Sequence, residues 1–144
     1  MDDRIERSID IDAPLERVWE LVTVPGWWVP DPSNEVGDRT PGAVTVRSTD
    51  KWGTFPVQVV DLRPRSYAAF RWASQFAGED LAPGRTTLIE FTLDDLGDRV
   101  HVQVVESGFA ALDAPDEVKQ AGLKSNTDGW TEELKSLRDR AAAA

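Results

Sequence analysis

The chain has 144 residues, 40% of them apolar, with a formal net charge of −10 and no cysteine. This length predicts a single domain over residues 1–144. The lack of cysteine excludes disulfides, thiol catalysis and thiolate metal sites. The acidic balance argues against nucleic acid as a partner. No run approaches the roughly twenty apolar residues of a membrane helix, so no membrane insertion is expected. The charged N-terminal segment MDDRIERS lacks the apolar core of a secretory signal, and we expect a cytoplasmic protein.

The first elements are a strand and a short helix. Isoleucines alternate with polar residues over Ile5–Ile11, which predicts a half-buried edge strand. Pro14 suits the first turn of a helix, because its missing N–H has no partner there anyway. One apolar face follows, formed by Leu15, Val18, Trp19 and Val22.

The next segment, from Pro25 to Gly42, is rich in proline and glycine and predicts a long loop. It carries Trp27 and Trp28 side by side. Successive side chains of an extended segment point to opposite sides. We therefore expect one indole to anchor the loop and the other to face solvent or the mouth of a cavity, so that the loop closes over a ligand.

A meander of strands follows the loop. The alternation of apolar and polar residues predicts strands at Ala43–Thr49, Phe55–Leu62, Tyr67–Ala73, Thr86–Asp94 and Arg99–Ser107. The last two form a hairpin in which Val100, Val102 and Val104 share one face. The same alternation turns Glu106 toward that face.

Helical periodicity marks the C-terminal segment. Leu123, Trp130, Leu134 and Leu137 recur at helical spacing, and Ser125-x-x-Asp128 predicts the N-terminus of a long helix over Ser125–Arg140. A separate short helix is expected from about Pro115 to Ala121, interrupted at Gly122. The order of elements predicts an α+β protein. A curved antiparallel sheet of about six strands wraps a long C-terminal helix, and one short helix follows the first strand.

Four segments carry a family resemblance. IDIDAPLERVWEL over Ile9–Leu21 resembles the opening of SRPBCC (START-like) proteins with the helix-grip fold. The other three resemble the subfamily of the activator of the heat-shock-protein-90 ATPase, and they are YAAFRW (Tyr67–Trp72), VVESGF (Val104–Phe109) and NTDGWTEEL (Asn126–Leu134). The resemblance implies an apolar cavity between sheet and helix, but not one chemistry.

The residues expected to line that cavity come from the loop, the inner face of the sheet and the long helix. They are Trp27, Trp28, Phe70, Trp72, Phe91, Glu106, Asn126, Trp130 and Leu134. Each aromatic residue has a plain structural alternative, because large aromatics usually form core. Trp130 in particular could simply anchor the helix on the sheet.

Glu106 leaves two interpretations open. In one, it is a buried carboxyl with a raised pKa that serves as acid, base or hydrogen-bond anchor. In the other, the strand bulges at Ser107-Gly108 and Glu106 pairs with an arginine or caps the next segment. The first candidates for catalysis are Glu106, Asn126 and Arg71, although Arg71 points away from Phe70 and Trp72 on their strand.

Other catalytic constellations lack support. His101 is the only histidine, it alternates toward solvent, and no G-x-S-x-G elbow accompanies it. Neither histidine pairs nor calcium loops occur, so no metal site and no cofactor is predicted.

The function that we expect is binding of a lipophilic or aromatic small molecule in the cavity, by a monomer or homodimer. A polyketide cyclase- or hydrolase-like enzyme using the same cavity is the first alternative, because such reactions can rely on positioning and one or two polar groups. A co-chaperone or protein-interaction module, suggested by the name of the subfamily, is the second.

Overall fold

The computed structural model describes residues 3–33, 35–73, 76, 78, 81–82 and 84–142. Two helices are present in these residues, α1 (Leu15–Val22) and α2 (Asp116–Ala142). The strands are β1 (Arg4–Ile11), β2 (Val44–Thr49), β3 (Gly53–Arg63), β4 (Tyr67–Trp72), β5 (Thr87–Asp95) and β6 (Val100–Ser107). This is the predicted α+β order, with one short helix after the first strand and a long helix at the end.

The strands form one curved antiparallel sheet in the order β1-β6-β5-β4-β3-β2. Alternate residues of the central strands are fully buried, as in β6, where Val100, Val102, Val104 and Glu106 all face inward. The two-residue period of a strand fixes this pattern. The buried face packs on the helices, and the opposite face carries most of the charge.

The long helix begins earlier than the sequence suggested. One continuous helix of 27 residues replaces the two expected, so the predicted start at Ser125 and the break at Gly122 are wrong. Its first turn carries Asp116 and Glu117, whose charges favour the positive end of the helix dipole. Gly122 is buried within the helix. Packing therefore outweighs the roughly 1 kcal/mol by which glycine disfavours a helix relative to alanine.

The loop after α1 differs from the extended segment that was expected. Gly26 has a φ of +74°, and backbone hydrogen bonds from Trp27 N to Val24 O and from Val29 N to Gly26 O curl the chain tightly. Side chains of a tight turn do not alternate as they do in a strand. Trp27 and Trp28 consequently both point inward and are each only 4% exposed. The prediction was that one indole faces solvent or the mouth of a cavity, and its solvent alternative is wrong.

The loop then returns along the free edge of β2. Asp31 accepts hydrogen bonds from the backbone N–H groups of Ser33 and, at 2.8 Å, Ser48 of β2. Arg47, also on β2, donates from its guanidinium to the carbonyl oxygens of Pro25, Glu35 and Val36. These bonds attach the loop to the sheet. Within the described residues, no helix has a stretch both long and apolar enough to cross a membrane.

Candidate functional site

The most unusual side chain of the inner face is Glu106, which is completely buried. It keeps regular register with Ile5 of β1 and Ile89 of β5, so the alternative of a bulge at Ser107 is wrong. No arginine, lysine or histidine among the described residues forms an ion pair with it. Among the described residues, only neutral polar groups therefore interact with its carboxylate.

Four neutral groups donate hydrogen bonds to the Glu106 carboxylate. Trp72 Nε1 and Thr87 Oγ1 reach Oε2 at 2.9 and 2.6 Å. Trp130 Nε1 reaches Oε1 at 2.8 Å, and Asn126 Nδ2 lies 3.1 and 3.3 Å from the two oxygens. A carboxylate has about four lone-pair sites, so these donors occupy all of them.

Local structure explains why these donors converge. Trp72 and Thr87 face each other across β4 and β5, and Thr87 lies on the same side of β5 as Ile89, the cross-strand neighbour of Glu106. Asn126 and Trp130 are four residues apart on α2 and therefore share one face. Glu106 thus connects β4, β5 and β6 with the long helix.

The site accommodates both protonation states of Glu106. Burial raises the pKa of the Glu106 carboxyl, against the opposing effect of its four hydrogen bonds. When the carboxyl is protonated, Oε2–H can donate to Thr87 Oγ1 and Oε2 can still accept from Trp72 Nε1. Thr87 can exchange donor and acceptor roles by rotation of its hydroxyl. The arrangement can store a proton but has no free acceptor for a substrate.

Aromatic rings fill the space beside this carboxyl. The indole of Trp28 lies 5.5 Å from the rings of Phe70 and Trp72, 5.6 Å from Trp130 and 5.8 Å from Phe91, measured between centroids. Most of these pairs meet edge-to-face or tilted, the arrangements that aromatic quadrupoles favour. Trp28 therefore occupies the place between sheet and helix where the cavity was expected.

Two polar atoms in this region have no hydrogen-bond partner. The Nε1 atoms of Trp27 and Trp28 are both buried without an acceptor. A buried donor left unsatisfied costs about 1–3 kcal/mol. By contrast, the indoles of Trp72 and Trp130 are satisfied by Glu106. The two loop tryptophans are thus less well accommodated than the two that belong to the sheet and α2.

The other predicted site residues separate into two groups. Leu134 is buried on α2 one turn after Trp130. Arg71 is exposed on the outer face of β4 and does not approach Glu106. Of the three catalytic candidates, the structure brings together Glu106 and Asn126 only.

Sequence reasoning missed Thr87 and Arg47. Thr87 was available in principle, because it shares the inward alternation of Ile89 and Phe91, but its cross-strand position requires the register of β4 and β5. The only indication of a role for Arg47 was that strand alternation puts it on the inward side of β2, together with Thr45 and Thr49. A lone inward arginine has no obvious partner until the fold of the loop is known.

Comparison with known families settles the relationship of the chain. The model of the family described as Activator of Hsp90 ATPase homolog 1-like protein matches residues 12–142. The chain belongs to this family. The match confirms the family resemblance and covers α1, β2 to β6 and α2, beginning directly after the end of β1. A comparison of the chain with curated proteins found no match.

Solved structures share the fold of this family member at low identity. The Aha1 dimer from Colwellia psychrerythraea is 18% identical, with a TM-score of 0.70 over 96% of this chain and 95% of that one. DynU16, from the dynemicin biosynthetic locus, is 22% identical, with a TM-score of 0.66 over 96% of this chain. The match spans about half of DynU16, 47% of its length. CalU16 from Micromonospora echinospora is 17% identical, with a TM-score of 0.65 over 93% of this chain and 71% of that one.

Proposed function

We propose that this protein binds a lipophilic aromatic small molecule between the sheet and α2, in the place that Trp28 now occupies. The main support for the proposal is the set of aromatic rings that encloses Trp28. Its indole is enclosed by the rings of Phe70, Trp72, Phe91 and Trp130, all contributed by the sheet or by α2. Such an enclosure suits any flat aromatic group of similar size.

Two features favour displacement of Trp28: it comes from a loop, and its indole N–H has no hydrogen-bond acceptor. Removal of a buried tryptophan from a core costs about 3–5 kcal/mol. Release of its orphan donor to water returns about 1–3 kcal/mol of this. The net cost of moving Trp28, about 2 kcal/mol and at most about 4 kcal/mol, is within the binding energy of a ligand with micromolar affinity, about 8 kcal/mol.

Glu106 has a supporting role in this proposal. It orients the indoles of Trp72 and Trp130, which form two walls of the enclosure. Because all its acceptor positions are occupied, the geometry favours binding over acid–base catalysis by this carboxyl. The origin of DynU16 in a biosynthetic locus is in keeping with small-molecule ligands for this fold.

The proposal is tested with Trp28→Ala and a panel of bicyclic and tricyclic aromatic compounds, including indole and naphthalene. Trp52→Ala is the matched control, since Trp52 is 57% exposed at the tip of the β2–β3 turn. Binding is measured by calorimetry and by the shift of the melting temperature. The Trp28 variant should bind the panel about ten to several hundred times more tightly than the wild-type chain, because no displacement is needed. The Trp52 variant should match the wild type.

Two results would overturn the proposal. The first is a Trp28 variant that remains folded and binds no member of the panel. The second is equal affinity of wild type and Trp28 variant for compounds that do bind, which would place those compounds elsewhere.

A further inference from the structure

A cavity lies beside the aromatic cluster, and Trp27 lines it whereas Trp28 does not. Its volume is about 480 Å³, within the range of small-molecule pockets. The end of α1 and the following loop provide apolar walls, and Arg47 and Arg140 provide charged groups. We propose that this cavity binds an apolar monocarboxylate, with Arg47 as the carboxylate-binding residue. The inference does not depend on displacement of Trp28.

The buried charge of Arg47 is the main argument. The residue is only 3% exposed, and its guanidinium donates at 2.8, 2.6 and 3.3 Å to three backbone carbonyl oxygens. No carboxylate of the described residues lies within ion-pair distance of it, and the charges of Asp31 and Glu35 act on it only from farther away. Burial lowers the pKa of Arg47, but a guanidinium stays charged in proteins. Three of its five N–H groups are used, and those that remain suit a carboxylate.

The walls determine what else the ligand must contain. The cavity is lined with apolar surface from Leu21 of α1 and from the segment that follows this helix, namely Val24, Trp27, Val29 and Val36. Arg140 stands on the last turn of α2 and donates to the carbonyl oxygen of Trp27 at 3.4 Å. An occupant therefore needs a hydrophobic body as well as an anionic end.

Two acidic residues at the cavity limit the charge of the ligand. Asp31 is occupied by the backbone N–H groups of Ser33 and Ser48, and these hydrogen bonds lower the pKa of its carboxyl. Glu35 is exposed at the rim. Their negative charges oppose those of Arg47 and Arg140, which disfavours a dianion such as a phosphate monoester more strongly than a monoanion. A single carboxylate that pairs directly with Arg47 fits better.

The test uses 2-naphthoate and decanoate, with 2-naphthamide and decanol as uncharged counterparts, in titrations followed by calorimetry. Both carboxylates should bind the full chain at least tenfold more tightly than their uncharged counterparts. Arg47→Met should abolish this preference. Because Arg47 also attaches the loop to β2, rim variants that leave the loop intact are needed as well.

Val36 and Glu35 supply these variants. Val36→Asp adds a negative charge at the rim and should weaken carboxylate binding about two- to fivefold, the usual size of an exposed charge effect. Val44→Asp is its control, since both valines are 50% exposed and only Val36 lines the cavity. Glu35→Gln should strengthen binding by a similar factor.

The outcomes separate this inference from the proposed function. Equal affinity for 2-naphthoate and 2-naphthamide, or rim variants without effect on carboxylate affinity, would overturn the Arg47 site. Binding that changes with Trp28→Ala but not with the rim variants would assign the compounds to the aromatic enclosure instead. A carboxylate preference that responds to Val36→Asp and not to Trp28→Ala supports the second site alone.

Discussion

The substitution Glu106→Gln tests the buried carboxyl most directly. A glutamine oxygen can still accept from Trp130 Nε1 and Asn126 Nδ2. Its amide nitrogen, however, replaces the oxygen that accepts from Trp72 and Thr87. Thr87 can turn its hydroxyl to accept, but Trp72 Nε1 loses its acceptor, which costs about 1–3 kcal/mol. We expect the variant to be less stable by that amount in mildly acidic solution.

The pH dependence of this loss follows from the raised pKa of Glu106. Between the ordinary value near 4.5 and the higher value in the folded chain, the folded state holds a proton that the unfolded state has released. The contribution of Glu106 to stability is therefore complete below the ordinary pKa and declines as the pH rises through the raised one. Glutamine has no such proton. The difference in unfolding free energy between the wild-type chain and Glu106→Gln should therefore decrease with rising pH, by at most about 1.4 kcal/mol per pH unit.

Urea unfolding of both chains from pH 4.5 to 8 measures the difference. Glu132→Gln, which removes an exposed carboxylate of α2, controls for the general effect of net charge. A difference in unfolding free energy that increases as the pH rises would contradict the raised pKa of Glu106. It would mean that the four donors outweigh burial and hold the pKa of Glu106 below its ordinary value.

Two further predictions concern the backbone of the loop and the outer face of the sheet. Gly26→Ala should lower the free energy of unfolding by more than the roughly 1–2 kcal/mol of left-handed backbone strain, because the added Cβ would lie 2.7 Å from Cγ of Arg47. Gly42→Ala is the control. Gly42 has a φ of +92° and no neighbour within 4 Å of an added Cβ, so this variant should show the backbone strain alone. Chemical denaturation compares the two, and equal losses would contradict the predicted clash. Tyr67 is the only tyrosine, and burial together with its 2.5 Å hydrogen bond to Glu90 raises its pKa to about 12. Ultraviolet titration of the phenol should show this midpoint and a lower one in Glu90→Gln, and a wild-type midpoint near 10 would show that the phenol is not held in this way.

The strand periodicity gave reliable information about the site. Alternation along β6 turned Glu106 inward, and the structure confirms this placement, because a strand has no other way to arrange successive side chains. The same rule identified Phe70, Trp72 and Phe91 as inner-face residues. The pairing of Trp72 with Thr87 depends on a register between β4 and β5 that a single strand does not specify.

The predictions were wrong where local sequence patterns conflict with the packing of the folded chain. Ser125 and Asp128 have the composition of a helix N-terminus, yet they lie inside α2, since the helix starts at Asp116 and its packing outweighs the glycine at position 122. Trp27 and Trp28 follow Gly26, whose positive φ converts an extended segment into a turn. The inward direction of both indoles could not be predicted without that backbone angle.

The hydrogen bond from Ser48 to Asp31 has a consequence for aggregation. β2 is one end of the open sheet, and Val44 and Val46 are both exposed there. An unprotected edge with apolar side chains invites strand-to-strand association between molecules. The Asp31 carboxylate occupies the N–H of Ser48, so a foreign strand cannot extend along β2 past that residue. Because backbone hydrogen bonds lower the pKa of Asp31, this protection holds wherever an ordinary aspartate is ionised, and it is lost only in strong acid.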